Sequence, residues 1–297
     1  MVPRQILPGS TYFVSRRCTQ RQFLLTPTPQ TTRIFGYCLA VAAARCNIQV
    51  HAACVMSNHW HAVVTDPDAR IPEFLGYLHK YVAKAVNAAL GRWENLWATE
   101  QPSLVRLVGP EDVLAEILYL ITNPVAAGLV AWAKRWPGLL CYLPRHSKTF
   151  ARPEIFFRPD GPLPSEAPLQ LTVAPALANL DVDEFERRLS ALVRADEDRF
   201  AREREASGRA CLGVDRVLAQ LPTAQPRSRE PRRKLSPKVA ARDKGRRLEA
   251  LRLLRDFVAA YREARSSWRK GLRAVLFPPG TYALRIYAGV LCQPAAP

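Results

Sequence analysis

His59 and His61 stand two residues apart in the run VMSNHWHAVV (55–64). Along an extended strand side chains alternate, so both imidazoles share one face while Trp60 between them points into the other layer. Two neighbouring imidazoles can chelate one divalent ion and leave open positions on it for polarising a phosphate. Phosphate and amide oxygens would supply its remaining ligands, which suits Mg²⁺ or Mn²⁺. The segment PEFLGYLHKYVAKAVNAAL (72–90) carries Tyr77 and Tyr81 four residues apart, hence on one face of a helix. Lys80 and Lys84 lie near enough on it to steady a phosphate or a phenolate. A phenol attacking such a phosphate forms a covalent phosphotyrosine, which stores the bond energy for rejoining. Each of these residues also has a plainer reading: a His-x-His pair of surface or hydrogen-bonded side chains, and two tyrosines that pack on a sheet. His51 and His79 read as solvated or hydrogen-bonded histidines, and Trp93, Trp97, Trp132 and Trp136 as core rather than base-stacking platforms.

Positioning those groups requires a sheet and its covering helices. Residues 10–16 are aromatic and β-branched and read as a strand. A helix over 31–46 opens with a threonine cap, and 49–55 and 59–65 read as antiparallel strands. Pro72 begins a helix that runs to about Leu90 and stops at Gly91; 104–108 is a strand; Gly109-Pro110 introduces a helix from 111 to about 121. Asn123-Pro124 with Gly128 reads as a helix break and turn. The order β-α-β-β-α-β-α predicts an α+β domain over 1–145, an antiparallel sheet covered by helices on one face and close to the ferredoxin-like split β-α-β arrangement. The proline-rich stretch 146–180 reads as an extended segment, either lying over another surface or serving as a linker, and 181–297 as a mainly helical basic extension with helices over 181–205 and 240–261.

Charge points to the partner. The chain has 297 residues, 48% of them hydrophobic, which excludes a disordered tail, and its 43 Lys+Arg against 26 Asp+Glu give a formal charge of +17, a field suited to a polyanion. Between 227 and 255, Arg232, Arg233, Lys234, Arg246 and Arg247 belong to a basic stretch that could track a nucleic-acid backbone with little sequence information; a solvated helix face is the plainer alternative. Seven scattered cysteines without a Cys-x-x-Cys pair suit a reducing compartment. The N-terminus has no apolar signal region, and no apolar stretch approaches the roughly 20 residues of a membrane span. The expectation is a cytoplasmic, nucleoid-associated protein that does not engage a membrane.

The run HAACVMSNHWHAVV (51–64) resembles the Met-Pro-Asn-His-hydrophobe-His signature of the single-tyrosine HUH transposases, in particular the REP-associated tyrosine transposases. YFVSRRCTQRQFLL (12–25) resembles the first strand of that family, GRWENLW (91–97) the segment after its tyrosine helix, and YLITNPVAAGLV (119–130) its Tyr-x-x-x-Asn-Pro-Val-x-Ala-Gly-Leu-Val block. Together these blocks cover residues 10 to about 140. The resemblance implies an HUH domain with a divalent metal on the histidine pair and single-stranded DNA with an adjacent hairpin as substrate. It implies cleavage and rejoining through a 5′ phosphotyrosine, and a homodimer. Tyr81 is the first choice of nucleophile, with Tyr77 one turn back, and Asn87 is the candidate for the third metal ligand that the family carries near its tyrosine. Tyr81 and Asn87 are six positions apart, about 120° round a helix, where the family often has one turn. That departure keeps open a second reading, a catalytically degenerate DNA-hairpin-binding protein of the same descent. An RNA-binding protein rests on charge alone.

Overall fold

The computed structural model describes residues 3–227 and 237–294. Its first elements are β1 (Ser10–Arg17), α1 (Pro29–Cys46), β2 (Gln49–Met56), β3 (His59–Asp66), α2 (Ile71–Ala89), β4 (Ser103–Leu107) and α3 (Pro110–Ala126). Local chemistry explains their limits. Thr28 caps α1 by accepting from Thr31 N at 3.1 Å, Pro29 sits in its first turn, and Asn47 ends it at φ 53°. Buried Asp66 accepts from Arg70 N and Ile71 N, at 2.8 and 2.7 Å, where the chain turns from β3 into α2.

The four strands lie in the order β2-β3-β1-β4, antiparallel throughout, as the ferredoxin-like reading requires. β5 (Leu140–Cys141) adds to the β2 edge and β8 (Val239–Ala240) to the β4 edge, the latter parallel. Helices cover both faces of this sheet, not one. Trp60, Ala62 and Val64 join α1 and α2 in one core, whereas Ala52, Cys54, Met56 and Val63 join α3 and α4 (Val182–Ala206) in a second. The sequence between β4 and 145 offers one helix for that second face. The other comes from beyond the proline-rich stretch, and Phe185, Leu189 and Val193 of α4 are buried there.

Three further expectations are corrected. α3 runs through Asn123-Pro124 to Ala126, because a proline in the last turn forfeits a single hydrogen bond; the turn comes at Gly128, φ 67°. Of the two readings of 146–180, the linker is the one corrected: the stretch is a strap packed over another surface. β6 (Lys148–Ala151) and β7 (Glu166–Leu169) pair antiparallel, Phe150, Ala167, Leu169 and Leu171 are buried with α1, and Tyr37 Oη donates to Pro164 O at 2.6 Å. The extension is integrated as well: Asp112 accepts from Gly109 N at 2.9 Å, capping α3, and from Arg242 N at 2.7 Å, so one carboxylate fastens the chain after β8 to the core. The predicted helix over 240–261 is α6 (Lys244–Arg269), with Ala240 in β8.

α5 (Val214–Leu218) buries Val217 in the second core. Around α6 and α7 (Ala283–Ala288) a small third cluster forms on Phe277, and the FPPGTY turn docks on the N-terminal segment through Ile6 N to Gly280 O at 3.0 Å. All seven cysteines are free thiols, and among the described residues no helix is long and apolar enough to cross a membrane.

The strap makes a direct prediction. A Cβ at Gly36 of α1 would lie 2.2 Å from the Phe150 ring. Gly36→Ala should lower unfolding stability by about 1–3 kcal/mol in a denaturant titration, and pairing it with Phe150→Leu should cost less than the sum of the two. Strictly additive losses would contradict this packing.

Candidate active site

The site is built on the α3 side of β3. Register fixes its walls: Arg17 of β1 lies opposite His59, Ser15 opposite His61 and Phe13 opposite Val63, while Met56 and Cys54 of β2 flank the histidines on the other side. The two imidazole rings meet edge to face with centroids 4.9 Å apart. His59 Nδ1 is 2.7 Å from Asn58 Oδ1, an acceptor, so Nδ1 carries the proton and the Nε2 lone pair is exposed for coordination. Asn58 is held in turn by donating from Nδ2 to Arg21 O at 3.3 Å. Sequence reasoning passed over Asn58, although it immediately precedes the histidine pair in the motif.

Both rings are neutral near pH 7. Burial pushes His59 down to about 4, with the charges of Arg17 and Arg21 adding to it, and burial followed by proximity to His59 holds His61 well below its ordinary value. His61 Nε2 is buried with no hydrogen-bond partner. An orphaned imidazole nitrogen costs about 1–3 kcal/mol unless something binds it. Two neutral imidazoles, one oriented through Asn58 and one lacking a partner, fit a divalent cation. Among the described residues no cluster of three His, Cys, Asp or Glu side chains completes such a site. Further ligands would have to be amide or substrate oxygens.

The tyrosine that reaches this pair is Tyr119 of α3. Its ring centroid lies 5.7 Å from that of His61 and 6.0 Å from that of Phe13, and it is 51% exposed. Burial of its remaining part and the nearby Glu116 carboxylate raise its pKa, whereas the Asn123 amide, hydrogen-bonded to its oxygen from one turn further on, lowers it. The signal for this pair stood in the sequence as Tyr-x-x-x-Asn. The helix-break reading of Asn123-Pro124 obscured it, because a broken helix would not align the two side chains.

Tyr77 and Tyr81 are not brought to the histidines. α2 packs on α1 on the other side of the sheet, where the two rings meet at a tilt with centroids 4.4 Å apart and Tyr81 lies flat against Phe157 at 6.2 Å. Tyr77 is pushed up to about 12, first by burial and then by Tyr81. Asn87 belongs to the same layer and donates to Glu94 O at 2.6 Å, holding the loop after α2. Lys80 sits over the Tyr81 ring and Lys84 over Phe156, both exposed on that layer. The physical reason is the strand period: Trp60 and its alternates claim the α2 side, so a side chain on α2 cannot meet His59 or His61. His79 accepts from Trp60 Nε1 at 3.2 Å, and His51 bonds Thr172 O and Thr65 Oγ1, the structural roles expected for both. Of the basic residues singled out, Arg246 is paired with Glu111 at 2.9 Å, Arg247 is exposed on α6, and Arg232, Arg233 and Lys234 lie outside the described residues.

No family model matches the chain, and no curated protein matches it. Two solved structures share part of the fold. A REP-associated tyrosine transposase bound to a REP hairpin is 20% identical over 46% of this chain and 78% of its own, with a TM-score of 0.39. A candidate transposase from Deinococcus radiodurans R1 is 20% identical over 38% of this chain and 88% of its own, with a TM-score of 0.29. Likeness at this level carries no inference about chemistry.

If the histidines form the cation site, His59→Ala or His61→Ala should weaken Mn²⁺ binding by at least about tenfold in calorimetry, whereas Asn87→Ala on the opposite face should leave it unchanged. Asn58→Ala should fall between these, through loss of ring orientation. Equal affinity in all four variants would remove the site.

Proposed function

We propose that the protein is a transposase-like enzyme that cleaves and rejoins single-stranded DNA, with Tyr119 as nucleophile. One observation carries the reading: an exposed phenol lies against His61, whose buried ring nitrogen has no partner and whose ring meets that of His59. His59 and His61 would hold the cation, with Asn123 the amide nearest to Tyr119. When bound, Mg²⁺ or Mn²⁺ supplies Lewis-acid polarisation of the scissile phosphate. The Tyr119 oxygen attacks phosphorus, the P–O3′ bond breaks, and the phenol proton leaves to the solvent that the half-exposed ring reaches. The product is a 5′ phosphotyrosine and a free 3′ hydroxyl, whose return attack reverses the step without an external energy source. Arg17 and Arg21, close enough to depress His59, bring positive charge to the phosphate.

The DNA-hairpin-binding alternative rested on the misaligned Tyr81 and Asn87. Tyr119 and Asn123 are four residues apart on a continuous helix, so that reason falls away. Hairpin recognition and a homodimer belong to the proposal through the family resemblance, and the +17 charge supports a polyanionic partner.

Incubation with labelled single-stranded hairpin DNA and Mn²⁺ should give a covalent adduct on denaturing gels that Tyr119→Phe abolishes and Tyr77→Phe or Tyr81→Phe does not. Because burial and Glu116 hold the Tyr119 phenol protonated, its ionised fraction grows about tenfold per pH unit below its pKa, and adduct formation should accelerate from pH 7 to 9. A rate that falls over that range would contradict an ionising phenol.

A further inference from the structure

Of the four tryptophans read as core, Trp97 and Trp136 are buried, whereas Trp132 is 41% and Trp93 89% exposed. The loop that presents it is tied down at both ends. Arg92 N donates to Asn87 O at 2.8 Å and Asn87 Nδ2 to Glu94 O at 2.6 Å, fixing it to the end of α2. Thr19 N donates to Leu96 O at 2.9 Å and Ala98 N to Arg17 O at 3.0 Å, fixing it to the end of β1. Arg17 is the register partner of His59, so the loop borders the strand ends that carry the candidate active site. An indole held in water by a tethered loop is an available aromatic platform, and bases of any sequence stack on such a surface.

Cationic groups surround the tether. Arg16 Nε and Arg92 Nη1 are both buried without a hydrogen-bond partner, and among the described residues neither arginine forms an ion pair. Arg16 lies over the Trp97 ring of the same loop at 5.5 Å, and Arg92 is close enough to act on the Cys18 thiol. Guanidinium nitrogens removed from water and left unpaired are costly, and a phosphate oxygen is the ligand that their charge and fork geometry suit.

We infer that the 91–98 loop and the end of β1 form a nucleotide subsite for single-stranded DNA, in which Trp93 stacks on a base and Arg92 and Arg16 bind the neighbouring phosphate. The subsite rests on the reading above: Arg16, opposite Trp60, faces the α2 side, so the subsite would hold the strand round the end of β1 from the scissile phosphate. It contributes affinity without sequence preference, because stacking uses a face that every base has.

The test uses the full-length protein in EDTA, which keeps the strand uncut, and fluorescence anisotropy with two probes of equal length, oligothymidylate of about 20 nucleotides and an all-abasic strand. Trp93→Ala should weaken oligothymidylate binding about 5- to 150-fold and leave the abasic strand unaffected, with Trp93→Phe retaining most of the affinity. Arg92→Ala should weaken both probes and lower the slope of log K against log salt by about 0.7, a change that Trp93→Ala should not make. Equal binding by wild type and Trp93→Ala, or equal losses on both probes, would overturn the subsite while leaving the cleavage reading intact. No strand binding by the wild-type protein would overturn both. Because the Trp93 side chain is exposed, thermal unfolding of Trp93→Ala should match wild type, and a lowered melting temperature would assign the residue a structural role instead.

Discussion

The alternation of side chains along β3 is the constraint on which the molecule depends. Trp60, Ala62 and Val64 fill one core and His61 and Val63 face the other, so a single eight-residue strand divides the interior into two layers. A shift of register by one residue would bury the histidines under α2 and expose Trp60 to the site. The register is held on one side by β1 and on the other by β2, and from the α2 layer by the Trp60 Nε1 bond to His79. Large side chains on one face thereby secure small, reactive ones on the other. Which helix covers which face then decides which tyrosine lies beside the histidines.

Electrostatics follows from that layering. Burial, joined at His59 by the charges of Arg17 and Arg21 and at His61 by proximity to His59, keeps both histidines neutral and available to a cation. The same surroundings leave Tyr119 protonated in the resting protein, with only the Asn123 hydrogen bond acting the other way. On the proposed function such a site would stay inert until cation and substrate arrive together, which suits a nucleophile that must not be spent on water or stray phosphates. Arg16, opposite Trp60, and Arg92 of the 91–98 loop place further positive charge on the α2 side of the same strand end.

Much of this was legible in the residues. Period-two and helical patterns gave β1, α1, β2, β3, α2 and β4 nearly to their ends, because each is a local pattern closed by a local cap or turn. The histidine pair was legible for the same reason. The place of Tyr119 beside His61 was not identified: it depends on a long-range fact, that α3 and α4 occupy the face α2 does not, and on a helix that continues through Pro124. Proline content left 146–180 open between a linker and a segment lying over another surface; Phe150, Ala167 and Leu169 make it a buried strap whose partner, Gly36, lies far away in sequence. Trp93 and Trp97 look alike as letters, and only the tethered loop tells the exposed ring from the buried one.

The assignment of the nucleophile to the α3 face can be read from a single digest. Tyr77, Tyr81 and Tyr119 fall in three different tryptic peptides, 71–80, 81–84 and 107–134. After reaction with a single-stranded hairpin and Mn²⁺, nuclease trimming and mass spectrometry should locate the residual nucleotide on 107–134. A nucleotide on 71–80 or 81–84 would contradict the account, since those residues lie across the sheet from His59 and His61.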